Sequence, residues 1–165
     1  MRVEARNEVL SLRNVAIAII GMTVASKISI PLYPVPITTQ MFALYLINLI
    51  LSPKEAFASI LGWLSFGAIG FPVFASSVGG IAGPSAGYLI GMLVSSSILG
   101  FIRGKVSSSL FLCIICYLIV HIFGCLWLSS YVSVGEVVSL GIIPFIISEF
   151  FKITAAIAIY KNIRL

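Results

Sequence analysis

Charge is what this chain has least of. Asp, Glu, Lys and Arg make up only 9% of its 165 residues, against about 25% in soluble domains. Hydrophobic residues make up 60% and the mean hydropathy is +1.17. No soluble surface can be built from this stock, and too little polar sequence lies between the apolar runs to make a separate soluble domain. Acid–base groups are equally scarce, with five acidic residues and one histidine. There is no G-x-x-x-x-G-K-[ST] loop, no H-E-x-x-H and no Ser/His/Asp set. Nucleotide hydrolysis by the usual route and hydrolytic catalysis are therefore not expected. The chain shows no clear internal repeat and is small for a transporter built from two inverted halves. These absences suggest a compact binding unit that relies on a partner for energy or translocation.

What is there reads as an all-α integral membrane protein, a single membrane domain over residues 1–165. Six spans are predicted, at about 14–30, 37–51, 56–70, 84–102, 109–129 and 137–160. Several fall short of the ~20 residues a perpendicular helix needs, which suggests thinned or re-entrant regions, or helices ended by functional loops. Ser52-Pro53-Lys54-Glu55 supplies a capping serine, a first-turn proline and a glutamate completing a capping box. Gly83-Pro84 opens the fourth span in a similar way.

The net charge of +5 has a topological cause rather than a nucleic-acid partner. Arg2, Arg6, Arg13, Lys54, Arg103, Lys105, Lys161 and Arg164 all fall on one side of this arrangement, and only Lys27 falls on the other. That bias predicts both termini in the cytoplasm. The first span has the charged leader of a signal peptide but no convincing small-residue cleavage site, so it is expected to be retained.

Glu149 and Lys152 sit inside the last hydrophobic segment. A charge at the bilayer centre costs about 2.5–3.5 kcal/mol even on lenient scales. Three residues apart, the two side chains share one helix face and partly neutralise each other. The pair is either a buried structural lock between helices or a polar ligand site. Cys113, Cys116, His121 and Cys125 lie in the fifth span, where at 100° per residue they spread over about half the helix circumference. They do not converge on a metal ion, and cysteines in apolar helices are usually packing residues. His121 is a helix–helix hydrogen-bonding residue or a cavity-lining one.

Two outer connections differ from ordinary loops. Residues 30–40 contain Pro31, Pro34 and Pro36, which stiffen an extended path, then enter the second span through Thr38, Thr39 and Gln40. Residues 71–83 carry no charge. Irregular backbone at membrane depth is tolerated where it is buried in protein or lines a cavity, so this loop, between helices 3 and 4, is read as a cap over a ligand cavity in preference to a tight, hydrophobic structural loop. Small residues mark packing faces. Gly83, Gly87 and Gly91 form two overlapping G-x-x-x-G patterns, and Gly21 with Ala25 makes a similar stripe on the first span.

Pro34-Val35-Pro36-Ile37-Thr38-Thr39-Gln40 resembles the entry to the second span in the BioY biotin transporters. So does Gly67-Ala68-Ile69-Gly70-Phe71-Pro72-Val73-Phe74, followed by Gly79-Gly80 and Gly83-Pro84-Ser85-Ala86-Gly87-Tyr88. Order and spacing fit from about Gly21 to Lys152. The resemblance implies the substrate-binding S component of an energy-coupling factor (ECF) transporter, a six-helix, multi-pass protein of a prokaryotic cytoplasmic membrane. It implies a subunit that binds biotin from outside, has no enzymatic activity or cofactor of its own, and works with a transmembrane coupling subunit and two ATP-binding cassette ATPases. Glu149 and Lys152 then match a ligand-proximal Asp-x-x-Lys pair, with glutamate in place of aspartate. Gln40, Phe74, Tyr88 and the backbone of Gly79 and Gly80 become candidate substrate contacts, and Gly21 and Ala25 a docking face for the coupling subunit. An S component for another vitamin, or a structural membrane protein, are the alternatives.

Overall fold

A computed structural model describes residues 10–75 and 82–163. The helices are α1 (Leu12–Lys27), α2 (Gln40–Ile50), α3 (Pro53–Ala68), α4 (Ala86–Ile102), α5 (Ser109–Leu128), α6 (Val134–Gly141) and α7 (Ile143–Ile163). Two features depart from the six-span, all-α expectation. First, the last span is broken. Val134–Ile163 is one helical run interrupted at Ile142, where the backbone leaves helical geometry (φ −126°, ψ −56°). Pro144 follows at the second position of α7, where its missing N–H costs nothing. Second, the proline-rich connection folds back as a short antiparallel ribbon, β1 (Ser29–Ile30) against β2 (Ile37–Thr38), with Ser29 opposite Thr38. The hydroxyl of Thr39 donates to the carbonyl of Ala25 at 2.8 Å, tying the start of α2 to the end of α1.

The capping box at the start of α3 forms as the sequence dictates. Ser52 Oγ accepts from the Glu55 amide and Glu55 accepts from the Ser52 amide. Glu55 also holds the N-terminus of α1, accepting from the Ser11 amide at 3.2 Å and from Asn14 Nδ2 at 2.9 Å. At the other end of α2, the Arg103 guanidinium donates to the carbonyls of Leu49 and Leu51, carbonyls that a helix C-terminus leaves without partners.

α4 packs along α5, α3 lies against both α4 and α1, and α2 lies between α1 and α7, while α6 and α7 cover α5. Close approach between α4 and α5 depends on glycine. A Cβ at Gly87 would lie 2.3 Å from Trp127 Cβ, and one at Gly91 2.8 Å from Val120 Cα. Small residues allow this spacing where lipid offers no hydrophobic drive for helices to associate. The core holds Met22, Leu44, Tyr45, Ile60, Trp63 and Leu128. Large apolar side chains such as Phe101, Leu126, Ile147 and Phe150 face outward, an exposed apolar surface suited to lipid rather than water. Ser109–Leu128 and Val134–Ile163 are each long and apolar enough to cross a membrane, while Gln40–Ile50 and Ala86–Ile102 are apolar but shorter.

Candidate functional site

The site is built on α7. Phe145, Glu149 and Ala156 are buried, a spacing of three to four residues per turn that turns one face inward. Glu149 is 3% exposed. Its Oε1 accepts from Lys152 Nζ at 2.6 Å and its Oε2 from the Tyr45 hydroxyl at 2.7 Å. Each carboxylate oxygen thus has one donor, and each keeps a further lone-pair direction. A buried carboxylate survives only when paired and hydrogen-bonded, and these two bonds supply that.

The geometry revises the reading of this pair as a lock between helices. Glu149 and Lys152 lie three residues apart on one helix, so their ion pair joins no two elements. The bond that crosses from α7 to α2 comes from Tyr45, a residue the sequence reading did not single out. Its partner lies 104 positions away, and a tyrosine in an apolar helix carries no local mark of such a role. The available signal was a polar hydroxyl three residues before Asn48 in a helix otherwise apolar beyond Gln40.

One turn before Glu149, Phe145 belongs to a cluster of rings. His121 on α5 stacks on Tyr117 (centroids 4.0 Å apart) and meets Phe145 and Tyr88 edge to face at 5.5 and 5.6 Å. Tyr88 is positioned from the far side, its hydroxyl donating to the Gly141 carbonyl at 2.9 Å at the break between α6 and α7. Its ring lies over Gly124, where a Cβ would come 2.3 Å from the ring edge. α2, α4, α5 and α7 thus bring Tyr45, Tyr88, His121, Phe145, Glu149 and Lys152 into one neighbourhood.

The remaining candidates are placed differently. Gln40 is buried at the start of α2. Its Oε1 accepts from the Thr38 hydroxyl at 2.8 Å, and its Nε2 has no partner among the described residues. Phe74 is buried in a separate aromatic contact, edge to face with Trp63 at 4.9 Å. It is packed so tightly on Gly67 that a Cβ there would come within 2.0 Å of the ring. Gly79 and Gly80 lie outside the described residues. Gly21 is exposed with open space around it, whereas Ala25 is buried. The two therefore do not form one exposed stripe. The open face of α1 runs instead through Ile17, Ile20, Gly21 and Val24. A small cleft between α2, α4 and α5 reaches Tyr45 from its other side, lined by Asn48, Arg103 and Cys113, and does not include Glu149 or Lys152.

A family model described as the BioY family matches residues 1–165. A probable biotin transporter BioY of Pyrococcus horikoshii is 38% identical over 155 residues, covering 91% of this chain and 93% of that protein. The biotin transporter BioY of Thermotoga maritima is 31% identical, covering 87% of this chain and 89% of its own length. Among solved structures, the S-component for biotin from an ECF-type ABC transporter superposes with a TM-score of 0.79 at 25% identity, covering 93% of this chain and 89% of that one.

Proposed function

The chain belongs to the BioY family, and we propose that it is the substrate-binding S component of an ECF transporter, taking biotin from outside the cell and delivering it inward. The observation that carries this reading is the buried carboxylate of Glu149, held by Tyr45 and Lys152 yet able to accept more. Biotin's ureido ring offers two N–H donors and one carbonyl acceptor. Glu149 accepts from an N–H, Lys152 donates to the carbonyl, and Tyr88 and Phe145 wall the thiophane ring. Gln40 Nε2, unpartnered among the described residues, is a donor for a polar part of the ligand, and Phe74, Gly79 and Gly80 complete the set of contacts this reading assigns.

The same reading makes residues 1–165 one membrane domain of six transmembrane runs in a prokaryotic cytoplasmic membrane. Both termini lie inside, a placement supported by the eight basic residues on one side. The connection between α3 and α4 caps the cavity. In support, its described ends are pinned from both flanks. Ser26 Oγ donates to the Val73 carbonyl at 2.7 Å and Lys27 Nζ to the Phe74 carbonyl at 2.6 Å. On the other side Trp127 Nε1 donates to Gly83 at 3.1 Å and the Tyr131 hydroxyl to Ala82 at 2.6 Å. ATP hydrolysis belongs to two partner ATPases acting through a transmembrane coupling subunit, which docks on the exposed face of α1 around Gly21.

Thermal unfolding of the purified protein tests the assignment. A ligand present at 100 times its Kd stabilises by about 2.7 kcal/mol, so biotin should raise the melting temperature and unrelated vitamins should not. Equal shifts with other vitamins, or none with biotin, would sink it. Glu149→Gln and Lys152→Met should each abolish the biotin shift. Variants that melt earlier yet keep the full shift would show the pair to be structural.

A further inference from the structure

Among the described residues three buried side-chain nitrogens have no hydrogen-bond partner: Gln40 Nε2, Trp63 Nε1 and His121 Nε2. His121 is the one set within the neighbourhood of Glu149 and Lys152. It is 5% exposed, and a buried polar atom left unpaired is costly. Its other ring nitrogen settles its chemistry. Nδ1 lies 3.1 Å from the Tyr117 carbonyl oxygen, which can only accept, so Nδ1 carries the ring proton. With that proton placed, Nε2 of the neutral ring is an acceptor. Tyr117, Tyr88 and Phe145 pack around its ring, and Phe145 lies one turn before Glu149 on the inner face of α7. The site therefore holds two acceptors, a carboxylate and an imidazole nitrogen, and one ammonium donor. A ligand that presents two N–H groups flanking a carbonyl matches that set.

We propose that His121 is a specificity-determining contact of this site, its Nε2 accepting a hydrogen bond from one ureido N–H of biotin while Glu149 accepts from the other. This deepens the biotin reading and rests on it. It gives a cyclic urea two separate acceptors, where a carboxylate alone would hold a singly N–H-bearing ring as well. Rings that lack the second N–H are rejected because they leave the imidazole nitrogen unpaired.

The test is calorimetric titration of the full chain in lipid nanodiscs with biotin and with the two biotins methylated on one or the other ureido nitrogen. Wild-type protein should bind biotin, and each methylated analogue should bind about tenfold or more weakly, the penalty for one lost buried hydrogen bond. His121→Phe should weaken biotin by a similar factor. It should also erase the penalty for one analogue while keeping it for the other, the coupling that identifies a direct partner. His121→Gln, which keeps an acceptor oxygen, should bind biotin better than His121→Phe, and it stands in for that variant if the phenylalanine fails to fold. The inference is overturned if either methylated biotin binds wild-type protein as tightly as biotin. It is equally overturned if the His121 variants bind biotin like wild type with both penalties intact. Wild-type protein that does not bind biotin at all would instead overturn the biotin reading beneath it.

Discussion

Single residues carry the contrast between crowded and open positions most sharply. Gly67 and Gly21 have the same side chain on helices of the same length, yet a Cβ at Gly67 meets the Phe74 ring at 2.0 Å while one at Gly21 meets nothing within 4 Å. Gly67→Ala should therefore displace Phe74 from Trp63 and lower stability by about 1–3 kcal/mol, the usual cost of overpacking. Gly21→Ala should leave stability unchanged or raise it by up to about 1 kcal/mol through helix propensity. Thermal unfolding of both variants in detergent measures the difference, and equal losses would contradict the packing described. Legibility at this scale follows cost. Glu149 and Lys152 stand out in the sequence because charge in an apolar run is expensive anywhere on the chain. Tyr45 and Gly67 do not, because each matters only through a neighbour that the fold brings to it.

At the scale of elements, the joint between α1 and α3 depends on one carboxylate. Burial on its own would raise the pKa of Glu55, but hydrogen bonds from Ser52, Asn14 and Ser11 outweigh it and hold the carboxyl below the ordinary glutamate value of 4.5. A lowered folded-state value means that the stabilisation is complete above 4.5 and fades as the pH falls through the lowered value. Glu55→Gln should therefore melt below wild type at neutral pH, and the gap should close on acidification. A gap that is constant with pH would place the effect of Glu55 elsewhere. The boundary at Ser52 was readable because a capping box is local chemistry. A second such box, Ser133 with Glu136, starts α6 and lies just ahead of where the apolar run alone places the last span. The break at Ile142 is hidden for a different reason. Apolar residues continue through it without interruption, and only Pro144 hints that a new helix begins. The ribbon at 29–38 has two residues per strand, too few for any alternating pattern to register, and its prolines read as an extended path rather than a fold-back.

For the whole molecule, composition revealed the class and charge placement suggested the orientation, while the order of packing around α2 came only with the structure. The proposed topology puts the tip of the proline-rich ribbon and the end of α7 on opposite faces. Tyr33 is 86% exposed, and the native cysteines are buried or half-buried. Tyr33→Cys should react with a membrane-impermeant maleimide on intact cells, and Lys161→Cys only after permeabilisation. The reverse pattern would invert the orientation. The connection between α3 and α4 has one more consequence. Every clasp on its described ends takes a backbone carbonyl, at Val73, Phe74, Ala82 and Gly83. A carbonyl is present whatever side chain the residue bears. Attachment is thereby separated from side-chain identity, and substitutions at Val73 or Ala82 leave the moorings of this segment in place.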